Sequence, residues 1–248
     1  MFERKYVRAR ASGGGWRETI KTVVYAVLIA VVVRTAAYEP FNIPSGSMKP
    51  TLLVGDYLFV AKFAYGYSRY SLPWSLPLFE DRLFASEPER GDVVVFKWPR
   101  DNETDYIKRV IGLPGDRVQV RAGTLYINGK RVKRDRVAGN HSNGEPYTEN
   151  GVIPFRETLP NGVSYITFDA GNTAADNTKV ITVPPGHYFM MGDNRDRSSD
   201  SRVWGFVPAV NLVGRADFLF FSTNGSARWW EVWRWPEGTR LWRLFRRV

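Results

Sequence analysis

The chain has 248 residues, no cysteine, two histidines and a formal net charge of +10. Without a thiol there can be no cysteine nucleophile, no thiolate-held zinc and no disulfide. Residues 1–21 and residues 225–248 each carry six basic against two acidic side chains, which leaves only +2 for everything between. A basic excess confined to two ends with apolar neighbours suits a membrane surface better than nucleic acid.

Residues 1–15 read as a basic cytoplasmic head. Thr22 to Val33 is free of charge, but twelve residues are too few to span a bilayer, which needs about 20. The predicted anchor is therefore residues 16–38, with Lys21 and Arg34 snorkelling and Trp16 and Tyr38 at the two interfaces. The competing reading is a cleaved signal peptide ending at Thr35-Ala36-Ala37. Arg34, directly after the apolar run, favours a retained single-pass anchor. The basic head then faces the cytoplasm and the rest is exported.

Phe41 to Leu53 reads F-N-I-P-S-G-S-M-K-P-T-L-L. Pro44 and Pro50 exclude helix, and Gly46 permits a sharp turn and a close approach. The prediction is a stiff, exposed loop presenting Ser45 and Ser47, as a serine nucleophile with a neighbouring donor requires. A plain Ser-Gly-Pro turn is the alternative. Ala37 precedes Ser47 by ten residues, at most about 33–36 Å of extended chain. A site there is held near the outer membrane surface.

Strands are predicted along Asp56–Tyr67, Gly91–Trp98, Tyr106–Ile111, Tyr165–Phe168, His187–Met191 and Ala216–Phe221, all rich in β-branched and aromatic residues. Asn128-Gly129 marks a two-residue hairpin turn. Ser71–Phe79 is an apolar, proline-broken loop that either packs on the core or dips into headgroups. Residues 134–180 are more polar and rich in Gly, Asn and Thr, and with the hairpin before them residues 118–180 read as a small inserted β domain. The catalytic β core is then 39–117 with 181–222. In the tail, residues 223–248, Leu241, Leu244, Phe245 and Val248 fall at i, i+3, i+4 and i+7 with arginines largely elsewhere. That pattern predicts a basic amphipathic helix lying in a membrane interface, behind a tryptophan-rich run.

A serine hydroxyl needs a base. With histidine scarce, a lysine is the alternative, provided burial lowers its pKa from about 10.4 toward neutrality. Lys62, Lys97 and Lys108 all lie in apolar strands and are not separated by this argument. Lys49, beside Pro50, is a further rival. The loop from Asp193 to Arg202 carries three aspartates and three arginines, a composition suited to an internal salt-bridge network.

Five blocks now stand in order: P-S-G-S-M-K-P-T-L from Pro44, G-D-Y-L-F-V-A-K-F-A-Y-G from Gly55, R-G-D-V-V-V-F from Arg90, D-Y-I-K-R-V-I-G-L-P-G-D from Asp105, and M-G-D-N-R-D-R-S-S-D-S-R-V-W-G-F-V-P from Met191. Together they resemble the bacterial type I signal peptidases, from about residue 16 to residue 215. The resemblance implies an extended, mostly antiparallel β fold shared with LexA-type self-cleaving repressors, carrying an inserted β domain. It also implies a Ser-Lys dyad with Ser47 as nucleophile and Lys108 as general base. Ser45 and the Ser47 amide would form the oxyanion hole, and Ser198 would orient the lysine. Asp200 with Arg202, and Arg109 with Asp193, would be supporting pairs, and Ile43 and Ile107 would line small substrate pockets.

The implied partners are signal peptides of exported preproteins, membrane lipid and the secretion machinery; the implied location is the bacterial cytoplasmic membrane. No metal, cofactor or nucleic acid is implied. The chain departs from some relatives in having one predicted anchor, no disulfide, and Arg197 beside Ser198. A membrane-anchored binding module and a self-cleaving regulator are the rival functions. The absence of a DNA-binding segment counts against the second.

Overall fold

A computed structural model describes residues 15–72, 75, 81–137, 151–226 and 234–248. Most of the apolar loop predicted from Ser71 and most of the tryptophan-rich run lie outside these. The fold is mainly antiparallel β. Helix α1, Trp16–Ala36, leads into strand β1, Tyr38–Asn42, which pairs with β2, Asp56–Ala61. Then come β3, Val93–Lys97, and β4, Asp105–Gly112. A run of short strands follows: β5, Arg117–Arg121, β6, Thr124–Ile127, β7, Lys130–Arg131, and β8, Lys133–Arg136. Next are β9, Ile153–Thr158, β10, Ser164–Asp169, and β11, Ile181–Thr182. The last are β12, His187–Met191, β13, Val207–Pro208, and β14, Leu212–Ser222.

These strands form three sheets. A seven-stranded sheet runs β1-β2-β14-β3-β4-β12-β13, a four-stranded sheet β11-β5-β6-β7, and a three-stranded sheet β10-β9-β8. Val93 to Phe96 is apolar without alternation, as a strand covered on both faces must be. Val93 and Val95 pack with Ile43, Met48, Leu52 and Leu58, while Val94 and Phe96 pack with Tyr65, Val110 and Met190. The predicted hairpin forms with Asn128 and Gly129 both at positive φ, 53° and 78°, as a tight turn between β6 and β7 demands.

The tail does not form the predicted amphipathic helix. Residues 240–248 make one 3-10 turn, Leu241–Arg243, and then run along β14. The Leu219 amide donates to the Arg246 carbonyl, the Phe245 amide to the Leu219 carbonyl and the Val248 amide to the Asp217 carbonyl. The physical reason is Arg243. Its fully buried guanidinium donates from Nε and Nη2 to Asp56 at 2.9 and 2.5 Å, and from Nη2 to the Thr51 carbonyl at 2.9 Å. A helix lying on a membrane would leave Asp56, also fully buried, without its cation. Of the predicted apolar stripe, Leu241 and Phe245 are exposed.

The predicted membrane segment coincides with α1, but among the described residues no helix is long and apolar enough to cross a membrane. Ile20, Val23, Tyr25, Val27, Leu28 and Ile29 on α1 are each at least half exposed.

Candidate active site

β4 alternates its side chains across the seven-stranded sheet, so Lys108 and Arg109 leave on opposite faces. Lys108 is 4% exposed. Its Nζ lies 2.7 Å from Ser47 Oγ and, as the ammonium, also donates to the Ile107 carbonyl at 3.0 Å. Among the described residues no carboxylate comes within 4 Å of that nitrogen. Burial lowers the Lys108 pKa to about 8, against a smaller opposing pull from Asp200 and Asp193.

Ser47 is buried rather than exposed as the sequence suggested; Ser45 is the exposed hydroxyl. Met48 and Leu52, fully buried in the core, draw the loop inward. Asn194 then ties it down, its amide donating to the Ser47 carbonyl and its Nδ2 to the Gly46 carbonyl, both at 3.0 Å. Ser45 Oγ is 3.4 Å from Ser47 Oγ. Ile43 is in the core, and the half-buried Ile107 packs against the same cluster.

Arg109 grips Asp193 with both arms, Nε to Oδ1 at 2.9 Å and Nη2 to Oδ2 at 2.6 Å, and Nη1 donates to the Gly91 carbonyl. Asp200 is equally engaged. It accepts from Arg202 Nε and Nη2 at 2.9 and 2.8 Å, and from the Gly192 amide at 3.1 Å. It also caps the short helix α2, Ser201–Trp204, through the Arg202 amide. The two predicted supporting pairs are therefore both formed.

The predicted Ser198–Lys108 hydrogen bond is absent. Ser198 Oγ is buried and has no hydrogen-bond partner among the described residues. It sits against Gly192, where a Cβ would meet Ser198 Oγ at 2.2 Å and the Ser47 carbonyl oxygen at 2.5 Å. Lys108 directs its hydrogen bonds at Ser47 and Ile107 instead, which leaves the Ser198 hydroxyl beside the site but unused.

Several residues around the site have no role assigned to them by the sequence or the resemblance. Thr51 donates from Oγ1 to Asp193 at 2.5 Å. Glu157, on β9, is fully buried and accepts from Arg195 Nη1 and Nη2, each at 2.6 Å, and from Tyr165 Oη at 3.1 Å. The Tyr165 ring in turn lies 4.1 Å from Arg109 Cζ. The three-stranded sheet is thereby wired to the loop that holds Ser47. Arg195 lay in a quoted block; Glu157 lay in a polar stretch with no motif at all.

The family described as Signal peptidase, peptidase S26, matches residues 16–221. A signal peptidase I of Rickettsia typhi is 43% identical over 94% of this chain and 94% of its own length. That of Rickettsia massiliae is 44% identical over 91% and 90%. Among solved structures, a signal peptidase I from Enterococcus faecalis V583 is 33% identical, covering 52% of this chain and 97% of that one, with a TM-score of 0.31. The chain belongs to the signal peptidase family, peptidase S26, and is a serine peptidase of that family.

Proposed function

We propose that the protein is a membrane-bound endopeptidase that removes N-terminal signal peptides from exported preproteins with a Ser-Lys dyad. The observation that carries this reading is the 2.7 Å approach of Lys108 Nζ to Ser47 Oγ inside a buried setting where, among the described residues, no carboxylate comes within 4 Å of the amine. A neutral lysine there accepts the Ser47 hydroxyl proton as Oγ attacks the scissile carbonyl. Ser45 Oγ and the Ser47 amide hold the developing oxyanion. The ammonium then passes its proton to the leaving amine, freeing the mature protein's N-terminus. Water, deprotonated by the same lysine, releases the acyl group and returns the proton to Ser47. Ser198 stands by as the hydroxyl that holds the free amine once Ser47 is acylated.

The preprotein enters as an added β-strand, its small side chains seated near Ile43 and Ile107. Residues 39–117 and 181–222 act as the catalytic unit, with 118–180 as an insert that braces it. The location is the bacterial cytoplasmic membrane, with a single anchor at residues 16–38, the N-terminus in the cytoplasm and the catalytic unit outside. The exposed apolar side chains of α1 support this, since such a surface calls for a lipid or protein cover. Signal peptides, membrane lipid and the secretion machinery are the partners.

The test is cleavage of a preprotein by the purified chain and by Ser47→Ala. Loss of cleavage with retained folding and peptide binding supports the reading. Retained cleavage by Ser47→Ala overturns the dyad, and no cleavage by the wild type overturns the activity.

A further inference from the structure

The loop that carries Ser47 is closed at its base and held at two further points. At the base, the Ile43 amide donates to the Asp56 carbonyl at 2.8 Å and the Gly55 amide to the Ile43 carbonyl at 3.0 Å. One holding point is the Asp193-Asn194 pair. Asn194 binds the Gly46 and Ser47 carbonyls, and Asp193 accepts from Thr51 Oγ1. The other comes from the tail, beyond the residues matched by the family. Fully buried Arg243 grips Asp56 with Nε and Nη2, and Nη2 also donates to the Thr51 carbonyl at 2.9 Å. Asp56 Oδ2 in turn accepts from the Leu53 amide at 2.8 Å. Ser222 Oγ donates to Asp56 Oδ1 at 2.6 Å and Arg240 Nη1 lies 3.8 Å from that oxygen. Arg243 is the group that joins Asp56 to Thr51. Thr51 is thereby gripped twice, at its hydroxyl by Asp193 and at its carbonyl by Arg243.

We infer that Arg243 is a positioning residue for Ser47, an inference that rests on the proposed role of Ser47 as nucleophile. A single turn connects the two. The Leu52 amide donates to the Met48 carbonyl at 3.0 Å, and Met48 directly follows Ser47. The Thr51 carbonyl and the Leu53 amide flank that turn, and both lead to one guanidinium, the second through Asp56. Without Arg243 the Thr51 carbonyl loses its donor, and Asp56 is left as a buried anion without its fork. The arm from Thr51 to Leu53 is then free to move against the Asn194 post. Ser47 Oγ stands 2.7 Å from Lys108 Nζ and 3.4 Å from Ser45 Oγ, distances that a shift of about 1 Å would spoil, at a cost of up to about 10²-fold in rate. A residue that only stabilised the fold would act otherwise. Its loss would lower the folded fraction and leave each folded molecule fully active.

The experiment compares the full detergent-solubilised chain with Arg243→Met and with the double variant Arg243→Met, Asp56→Asn. The double variant removes both buried charges and keeps a carbonyl oxygen for the Leu53 amide, so a failure of the single variant to fold does not block the test. Two quantities are read. The first is kcat and KM on a soluble signal-peptide substrate, per folded molecule, with the folded fraction taken from denaturant unfolding. The second is amide hydrogen exchange over residues 46–53. In the double variant kcat should fall about tenfold to hundredfold while KM stays within about twofold. Exchange over 46–53 should quicken, with the distant hairpin of β6 and β7 unchanged. A kcat per folded molecule within about twofold of wild type would overturn the inference, and so would unchanged exchange over 46–53. A wild type that cleaves no signal peptide defeats the proposed function instead, and exchange alone then decides whether Arg243 holds the loop.

Discussion

Lys108 and Arg109 are neighbours on β4 and both are buried, yet their two sides of the sheet are furnished differently. Arg109 has both oxygens of one carboxylate, a backbone carbonyl and an aromatic ring. Lys108 has a serine hydroxyl, one carbonyl and the Tyr106 ring 5.5 Å away, but among the described residues no carboxylate within 4 Å. The first side holds a permanent charge for structural ends; the second withholds the counter-charge that would keep an amine protonated. A buried cation becomes a candidate base through what its surroundings lack.

The largest effect is expected from giving the Lys108 position a charge that cannot be removed. Lys108→Arg should lower kcat by at least about 10⁴-fold, the scale of losing one member of a catalytic pair, because guanidinium stays protonated. In the wild type the rate should rise with pH about a midpoint near 8 as Lys108 loses its proton. Lys108 also links pH to stability. Its folded pKa is depressed below the unfolded 10.5, so the unfolded chain binds more protons between about 8 and 10.5. This residue's contribution to stability therefore rises with pH across that window and is constant below it. Rate measured against pH for both proteins decides the matter; an active Lys108→Arg enzyme, or a flat wild-type profile, removes Lys108 from the mechanism.

On the saturated side, a broken pair should appear as lost stability. Arg243→Ala leaves Asp56 buried without its bidentate partner and should cost about 3–5 kcal/mol. Denaturant unfolding reads this directly, and a cost under about 1 kcal/mol would mean the tail is a loose appendage. Ser45→Ala tests the oxyanion role at the open end of the site. Its kcat should fall about 10²–10³-fold with KM nearly unchanged; an unaltered kcat makes Ser45 a turn residue. The smallest effect is expected from Lys97→Ala. Lys97 pairs with Asp105 at 2.9 Å near the surface, so its removal should cost no more than about 1 kcal/mol and leave kcat unchanged.

These contrasts explain how far the sequence could be read. β-branched runs, Pro44, Gly46 and Asn128-Gly129 act through local sterics, so the strands and turns were legible. Lys62, Lys97 and Lys108 could not be ranked from the residues alone, because what separates them is long-range. Lys62 meets Glu39 at 2.9 Å, Lys97 meets Asp105, and Lys108 meets a serine 61 positions away. Only the resemblance had chosen among them. The tail misled because the 3.6-residue spacing of Leu241, Leu244, Phe245 and Val248 is real, while the Arg243–Asp56 pair that overrides it spans 187 positions. Glu157 was invisible for the same reason, since its partner Arg195 lies 38 positions away on another element.

β3 pairs with β14 only as far as Arg215, and β14 continues to Ser222. Beyond Arg215 the vacated side of β14 is a short row of amides and carbonyls, the kind of edge that recruits a strand from another chain. A peptidase that takes its substrate as an added strand cannot leave a second such edge open without capturing peptides where no chemistry follows. Residues 239–248 fill that row with the chain's own backbone. The tail thus closes this row with its own backbone, and under the proposed strand-addition mode it leaves preprotein capture to other edges.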